Sequence, residues 1–314
     1  DPKLFAEEDI VKAKRNFLDL LFNTLRFYEL YASGTKKVSR EKRATHVLDR
    51  WIVGRMASVT NEVTKKMDAY DVVGAARMIE DFVANDVSRW YVRRSRDRMK
   101  EGSGLGVLRA VLLEVARLTA PFTPFAAEIV YKALQGNAES VHLDAWPAKK
   151  AFSKTLIKEM EEVRAVAATG LELRARAGIK VRQQLMSLTL KRSGIKDKAL
   201  IGILKEELNV KNIYVDKSIG EDAVLDAVIT PALKLEGDIR ELIRSIQDIR
   251  KKKELEPKDF VDVEYTRTSG IELPPQALAE IKKGARIRDF HEGSGGESLV
   301  RVGSITVTKV EKSA

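Results

Sequence analysis

The chain has 314 residues, a length that suggests two domains rather than one, and with 44% of them apolar it can bury at least one core. It has no cysteine, which excludes disulfides, cysteine-ligated zinc and a thiol nucleophile, and its three histidines, His46, His142 and His291, are too scattered for a metal pair. The net charge of +10 and the isoelectric point near 9.5 favour polyanionic partners, and no apolar run is long enough to cross a bilayer. The opening, DPKLFAEEDIVKAKRN, is acidic and then amphipathic, unlike a secretory signal. It lacks an initiator methionine, so a piece of a longer protein is expected.

In chain order, residues 9–31 place Ile10, Phe17, Leu18, Leu21, Leu25 and Tyr28 at helical spacing, and SGTKK (33–37) breaks the pattern. Residues 41–69 read as one long amphipathic helix through Val47, Leu48, Trp51, Ile52, Met56, Val59 and Val63. A third helix starts within DAYDVVGA (68–75). It sets Ala75, Ile79, Phe82, Val83, Val87, Trp90 and Tyr91 on one side, and EGSGLG (101–106) ends it. Two more helices, 107–119 and 125–134, are split by APFTP, where Pro124 starts the second and Glu128 favours its dipole. Five helices on short links make a bundle. SVHLDAWP (140–147) then reads as a short extended closing piece, and a further helix runs from about Ser153 to Ala177.

From Gly178 the period changes. MSLTLK (186–191) alternates, while NIYV (212–215) and AVLDAVI (223–229) are apolar and β-branched. A helix follows from about Leu233 to Lys253, and FVDVEY (260–265) alternates again. GSGGE (293–297) is a loop, and SLVRVGSITVTKV (298–310) reads as a terminal strand pair. The second half is therefore a small α+β domain, and no internal repeat is read in it.

The charge is unevenly placed. Arg89, Arg93, Arg94, Arg96, Arg98 and Lys100 face Asp97 alone within residues 89–100, which gives that segment half of the chain's net charge. On an α-helix Arg89, Arg93, Arg96 and Lys100 share a face, beside an apolar face of Val83, Val87 and Trp90 that anchors the helix. A guanidinium grips phosphate with two parallel hydrogen bonds, so such a row suits a nucleic-acid backbone. The alternative is a solvated face with Asp86 and Asp97 pairing some of the arginines. In residues 233–255, Arg240, Arg244, Gln247 and Lys251 repeat the spacing beside a stripe of Ile239, Leu242, Ile243, Ile246 and Ile249. There the alternative is neutralisation by Glu241 and Asp248. Two such rows favour nucleic acid over an acidic protein. No catalytic constellation, metal cluster or phosphate-cradling glycine loop is present in the sequence.

Four blocks now stand in one order: LDRWIVGRM (48–56), DFVANDVSRWYVRRSRDR (81–98), LTAPFTPFAAEIVYKAL (118–134) and SVHLDAWP (140–147). In that order they resemble the helical anticodon-binding domain of isoleucyl-tRNA synthetases. Valyl, leucyl and methionyl enzymes share the bundle, and the run from Ser88 to Arg96 points to the isoleucyl branch. RARAGIKVRQQL (174–185) is similar to the family's linker, with Gln184 where a proline is usual. EELNVKNIYV (206–215) and LEGDIRELIRSIQDIRKKKEL (235–255) are similar to its C-terminal region, of the archaeal- and eukaryote-like type. The likeness covers about Asn16 to Val263.

It implies a mainly α fold: an anticodon-binding bundle over 1–150, a linking helix over 151–181 and an α+β C-terminal domain over 182–314. It also implies isoleucine tRNA as partner, bound at the anticodon stem-loop, together with the ligase's own N-terminal catalytic domain. A cytoplasmic monomer away from any membrane is expected. The alternative is a helical interaction module docking an acidic protein or that catalytic domain, and Arg174, Arg176, Lys180 and Arg182 are candidates for such a junction. Whole enzymes of the family use ATP and magnesium through H-I-G-H-type and K-M-S-K-S-type sequences. Neither occurs here, since TKKMDAY (64–70) lies within a predicted helix and lacks the serine, so no cofactor is expected for this chain and no charging activity. The expected RNA contacts are Arg89, Arg93, Arg94, Arg96, Arg98 and Lys100, with Arg240, Arg244, Gln247 and Lys251 as a second set and Trp90 and Tyr91 as packing.

Overall fold

The computed structural model describes residues 6–32, 44–256, 259–267, 275–293, 298–300 and 303–309. The predicted break at 33–37 and most of the GSGGE loop lie outside them. The chain divides into two compact units, Asp1–Glu161 and Glu162–Ala314, and the division falls inside a helix.

The first unit is helical. Where the sequence reads one helix over 9–31 there are two, α1 (Glu7–Asn16) and α2 (Leu18–Ala32), because Phe17 leaves helical geometry with φ −122° and ψ −67°. α1 buries nothing, and Ile10, placed in the apolar stripe by its spacing, is exposed. α3 (Val47–Asp68) starts later than predicted because His46 caps it, its Nδ1 accepting from the Leu48 amide at 3.2 Å. Asp71 caps α4 (Val72–Asp81) through the Gly74 amide. That helix continues as a π-helical stretch, Phe82–Val92, and then as α5 (Arg93–Lys100). α6 (Leu105–Thr119) and α7 (Pro124–Ala133) complete the bundle, with Pro124 in the first turn as expected. The core holds Trp51, Ile52, Phe82, Tyr91, Leu108, Leu112 and Tyr131, all essentially without solvent.

The closing segment is not extended. Val141–Leu143 forms a 3-10 turn capped by Ser140, and Glu128 holds it by accepting from the Val141 amide at 2.8 Å and the Ser140 hydroxyl at 3.0 Å. Glu128 thus serves as a tertiary clamp beyond its place near a helix start.

The second unit takes over within α8 (Lys154–Arg176). It continues through β1 (Leu185–Leu190), α9 (Lys198–Leu208), β2 (Val210–Val215), β3 (Ala223–Leu225) and α10 (Pro231–Lys252). β4 (Val261–Arg267), α11 (Pro275–Ala285), β5 (Ile287–Glu292), β6 (Ser298–Val300) and β7 (Gly303–Lys309) follow. Among the described residues two sheets form, ordered β2-β1-β3 and β5-β4-β7-β6. The architecture is mainly α with a small α+β part, as the sequence indicates. The strand read over 223–229 stops at Leu225, because Asp226 folds the chain back by accepting from the Val228 amide. Sequence patterning did not reveal α9 or α11, each of 11 residues.

The unit is one module used twice, which residue identity had hidden. In each copy a long helix leads to a central strand, a short helix crosses over, and the next strand pairs parallel. A later strand then pairs antiparallel on the other side. The detail repeats as well. Arg174 in α8 is fully buried and donates to the carbonyls of Lys180, Gln183, Leu208 and Asn209. Arg250 in α10 is buried and donates to the carbonyls of Glu256, Asp259 and Ala285 at equivalent places. α8 ends with Gly178 at φ 67° and a bond from the Ile179 amide to the Arg174 carbonyl. α10 ends with Glu254 at φ 55° and a bond from the Leu255 amide to the Arg250 carbonyl. Asn209 (φ 51°) and Arg286 (φ 52°) close the two short helices alike. The second copy has a core of its own, including Ile239, Leu242, Ile246, Val261, Val263, Ile281 and Val307.

Candidate nucleic-acid interface

The basic segment of the first unit occupies the end of the π-helical stretch and α5. The wider i→i+5 turns of the former change the phase of side chains, so the even α-helical row read from the sequence holds only from Arg93 onward. Arg89, Arg93, Arg96 and Lys100 are nonetheless all exposed, and Arg94 is half-buried. The opposite side of the rod buries Phe82, Val83, Val87, Trp90 and Tyr91, so both aromatics pack, as expected.

The exposed cations are held in different ways. Arg89 donates from Nη1 to Asn85 Oδ1 at 2.9 Å. The Arg93 guanidinium lies over the Trp90 ring at 5.9 Å, and that of Arg96 lies over the Phe27 ring of α2 at 5.8 Å. Lys100 pairs with Asp97 at 2.8 Å, in open solvent. Asp86 pairs with Arg55 of α3 at 2.8 Å.

Arg98 is a different kind of residue. It turns into the bundle and donates to both oxygens of Asp49, at 2.7 and 2.6 Å, and to Ser95 Oγ at 3.2 Å. Asp49 is 2% exposed and also accepts from the Tyr91 hydroxyl at 2.6 Å. Burial works to lower the Arg98 pKa, but the hydrogen bonds and charge of Asp49 outweigh it and raise the value. Burial, with the Asp49 charge beside it, pushes the Tyr91 phenol well above its ordinary value. Arg98 therefore joins α5 to α3 and leaves the set of open cations.

The second set is less uniform. Arg244 is exposed and pairs with Asp248 at 3.3 Å. Gln247 donates to the Gly284 carbonyl at 3.0 Å and so fastens α10 to α11. Arg240 is half-buried, and among the described residues its Nη1 atom has no hydrogen-bond partner. Only Lys251, beside Lys252 in a shallow depression lined also by Ser245, Asp248 and Ile249, keeps the open placement read from the sequence. Of the junction candidates, Arg174 is internal. Burial draws its pKa down to about 10, so it remains charged at neutral pH. Lys180 pairs with Glu241 at 3.2 Å.

The aromatic edge of α2 is not among the expected contacts. Phe27 and Tyr31, one turn apart, lie off the buried face of Leu21, Thr24, Leu25 and Tyr28, and their ring centroids are 4.9 Å apart. The signal was present in RFYELYA (26–32), where two rings fall at i and i+4 beside the apolar stripe. Among the described residues no group of three histidine, aspartate or glutamate side chains is arranged to hold a metal ion.

Residues 49–189 match the family described as the anticodon-binding domain of tRNA ligase. An isoleucine–tRNA ligase of Tropheryma whipplei (strain Twist) is 34% identical over 253 residues, 76% of this chain and 24% of that protein. One of Dehalococcoides mccartyi (strain CBDB1) is 33% identical over 93% of this chain and 32% of its own length. One of Clostridium tetani is 32% identical over 97% of this chain and 31% of its own. The chain thus spans about a quarter to a third of the length of these relatives. Family match, relatives and helical architecture agree: the chain is similar to the part of isoleucine–tRNA ligases that carries the anticodon-binding domain.

Proposed function

We propose that this chain binds tRNA, at the anticodon stem-loop of isoleucine tRNA, through the exposed side of the π-helical stretch and α5. The observation that carries the reading is a rigid rod with Arg89, Arg93, Arg96 and Lys100 exposed along one side and Phe82, Val83, Val87, Trp90 and Tyr91 buried along the other. The burial fixes the rod, so its cations are presented at little further cost in backbone order. Phosphate contacts set the register of an RNA and do not read its sequence. We assign this chain no aminoacyl transfer, because its sequence has neither of the ATP-site motifs. We place it in the cytoplasm, and no helix among the described residues is long and apolar enough to cross a membrane.

The test is the variant Arg93→Glu/Arg96→Glu with isoleucine tRNA over a range of salt. Each lost phosphate contact lowers the salt slope by about 0.7 to 0.9. Weaker binding with that slope change and unaltered circular dichroism is the expected result. Unchanged affinity in a folded variant overturns the assignment of the row.

A second reading has its own observation. Phe125 and Ile129 of α7, one turn apart, are 86% and 55% exposed. Exposed apolar residues of this kind mark protein contacts, and the relatives have much additional chain to supply one. On this reading α7 docks the catalytic part of the ligase. Phe125→Ser in a full-length enzyme is then expected to lower thermal stability, while tRNA affinity of the present chain stays the same. A variant that changes neither quantity removes this reading.

A further inference from the structure

The proposed RNA face holds more than charge. Two guanidinium groups on α5 lie over aromatic rings: Arg93 over Trp90 at 5.9 Å and Arg96 over Phe27 at 5.8 Å. The Phe27 ring is continued by Tyr31, at 4.9 Å and inclined by 57°. Phe27 and Tyr31 are half-buried, while the core side of α2 is occupied by Leu21, Thr24, Leu25 and Tyr28. Arg96 itself is exposed.

A face built only to carry charge has no need of rings at its margin. A face that takes single-stranded RNA does, because unstacked bases settle on aromatic and guanidinium planes while the backbone is neutralised beside them. We propose that Phe27, Tyr31 and Arg96 form a ledge that stacks an unpaired nucleobase of the bound RNA. The ledge rests on the tRNA reading above and adds to it a place where α2, and not only α5, meets the ligand. Arg96 then has two tasks: its charge faces the backbone, and its plane, seated on Phe27, extends the stacking surface.

The two tasks separate by experiment. The probe is an RNA hairpin with the isoleucine anticodon loop, in a series with one loop base at a time replaced by 2-aminopurine, titrated with the full chain. One loop position is expected to change fluorescence on binding. Phe27→Leu and Tyr31→Leu keep apolar volume and are expected to abolish that change. Each is expected to weaken binding by about 5- to 150-fold, the equivalent of one stacked base, with the salt slope unchanged. Arg96→Lys keeps the charge and loses the plane, so it is expected to weaken binding at constant slope. Arg96→Gln is expected to lower the slope as well, by about 0.7.

Circular dichroism establishes that each variant is folded. Wild-type binding with unchanged affinity and fluorescence in folded Phe27→Leu and Tyr31→Leu overturns the ledge and leaves the tRNA reading standing. Failure of the wild-type chain to bind the hairpin or isoleucine tRNA overturns both.

Discussion

Asp49 lies in the first turn of α3, almost without solvent, and accepts from Arg98 twice and from Tyr91. A buried carboxylate is tolerable only when fully paired, and its removal strands a half-buried guanidinium. Asp49→Ala is therefore expected to cost about 3 kcal/mol, and Tyr91→Phe about 1 to 2 kcal/mol, in denaturant unfolding. The same network separates Arg98 from its neighbours: Arg98→Lys is expected to lower stability and leave the salt slope of RNA binding alone. Asp144 gives the pH counterpart. A hydrogen bond from Tyr131, joined by one from Arg117, holds its carboxyl below the usual carboxylate range. A depressed folded-state pKa contributes stability above the unfolded-state value, which is lost as the pH falls through the folded-state one. In thermal melts across the acid range, Asp144→Asn is expected to be less stable than wild type at neutral pH, with the gap closing as the pH falls below about 4. None of these pairings is legible in the sequence, because each joins residues far apart in the chain. Arg98 and Arg96 look alike until α3 is placed behind one and α2 beside the other.

The elements differ in how well their residues announce them. α3, α6, α8 and α10 carry long apolar stripes and were legible, whereas α9 and α11 are short helices set between strands, with too few turns for their period to stand out. The π-helical stretch is not legible for another reason: its residues are ordinary helix residues. The duplicated module is not legible in the sequence because geometry, not identity, is repeated. RARAGIKVRQQL and RKKKELEPKDFV share only their first residue, yet Arg174 and Arg250 do the same work. Each clamps the carbonyl end of the short helix and the turn into the central strand. Arg174→Met, which leaves four carbonyls short of a donor, is expected to cost at least about 3 kcal/mol. The copies also correct one another. Glu254 holds a left-handed conformation where the first copy has Gly178, so Glu254→Gly is expected to raise stability by about 0.5 to 1 kcal/mol, and Gly178→Ala to lower it by a similar amount. A Glu254→Gly variant that melts below wild type would mean that the glutamate side chain makes up for its strained backbone.

Over the whole molecule the net charge of +10 overstates what can meet a polyanion, because many of the cations face inward or sideways. Arg174 and Arg250 are bound to carbonyls, Arg109 donates to the carbonyls of Leu134 and Gln135 at the end of α7, and Arg98 belongs to Asp49. The composition thus overstates the charge available to a polyanion, and the excess is structural. In the first unit Arg89, Arg93 and Arg96 are exposed, and Lys100, also exposed, pairs with Asp97. If they alone meet phosphate, three to four contacts form, and the logarithm of affinity falls against the logarithm of salt with a slope of about −2 to −3.6. A slope steeper than about −5 would require Lys251 and its neighbours in the second unit, or further cations, to join the complex. Lys251→Gln separates these cases: with only the first unit engaged, it leaves the slope as it was, whereas engagement of the second unit makes it shallower by about 0.7 to 0.9. The measurement, made with isoleucine tRNA and with an unrelated tRNA, also separates charge from recognition. Contacts to phosphate alone give both RNAs the same slope and the same affinity. Contacts to unstacked bases add a difference in affinity at any salt and leave the slopes parallel.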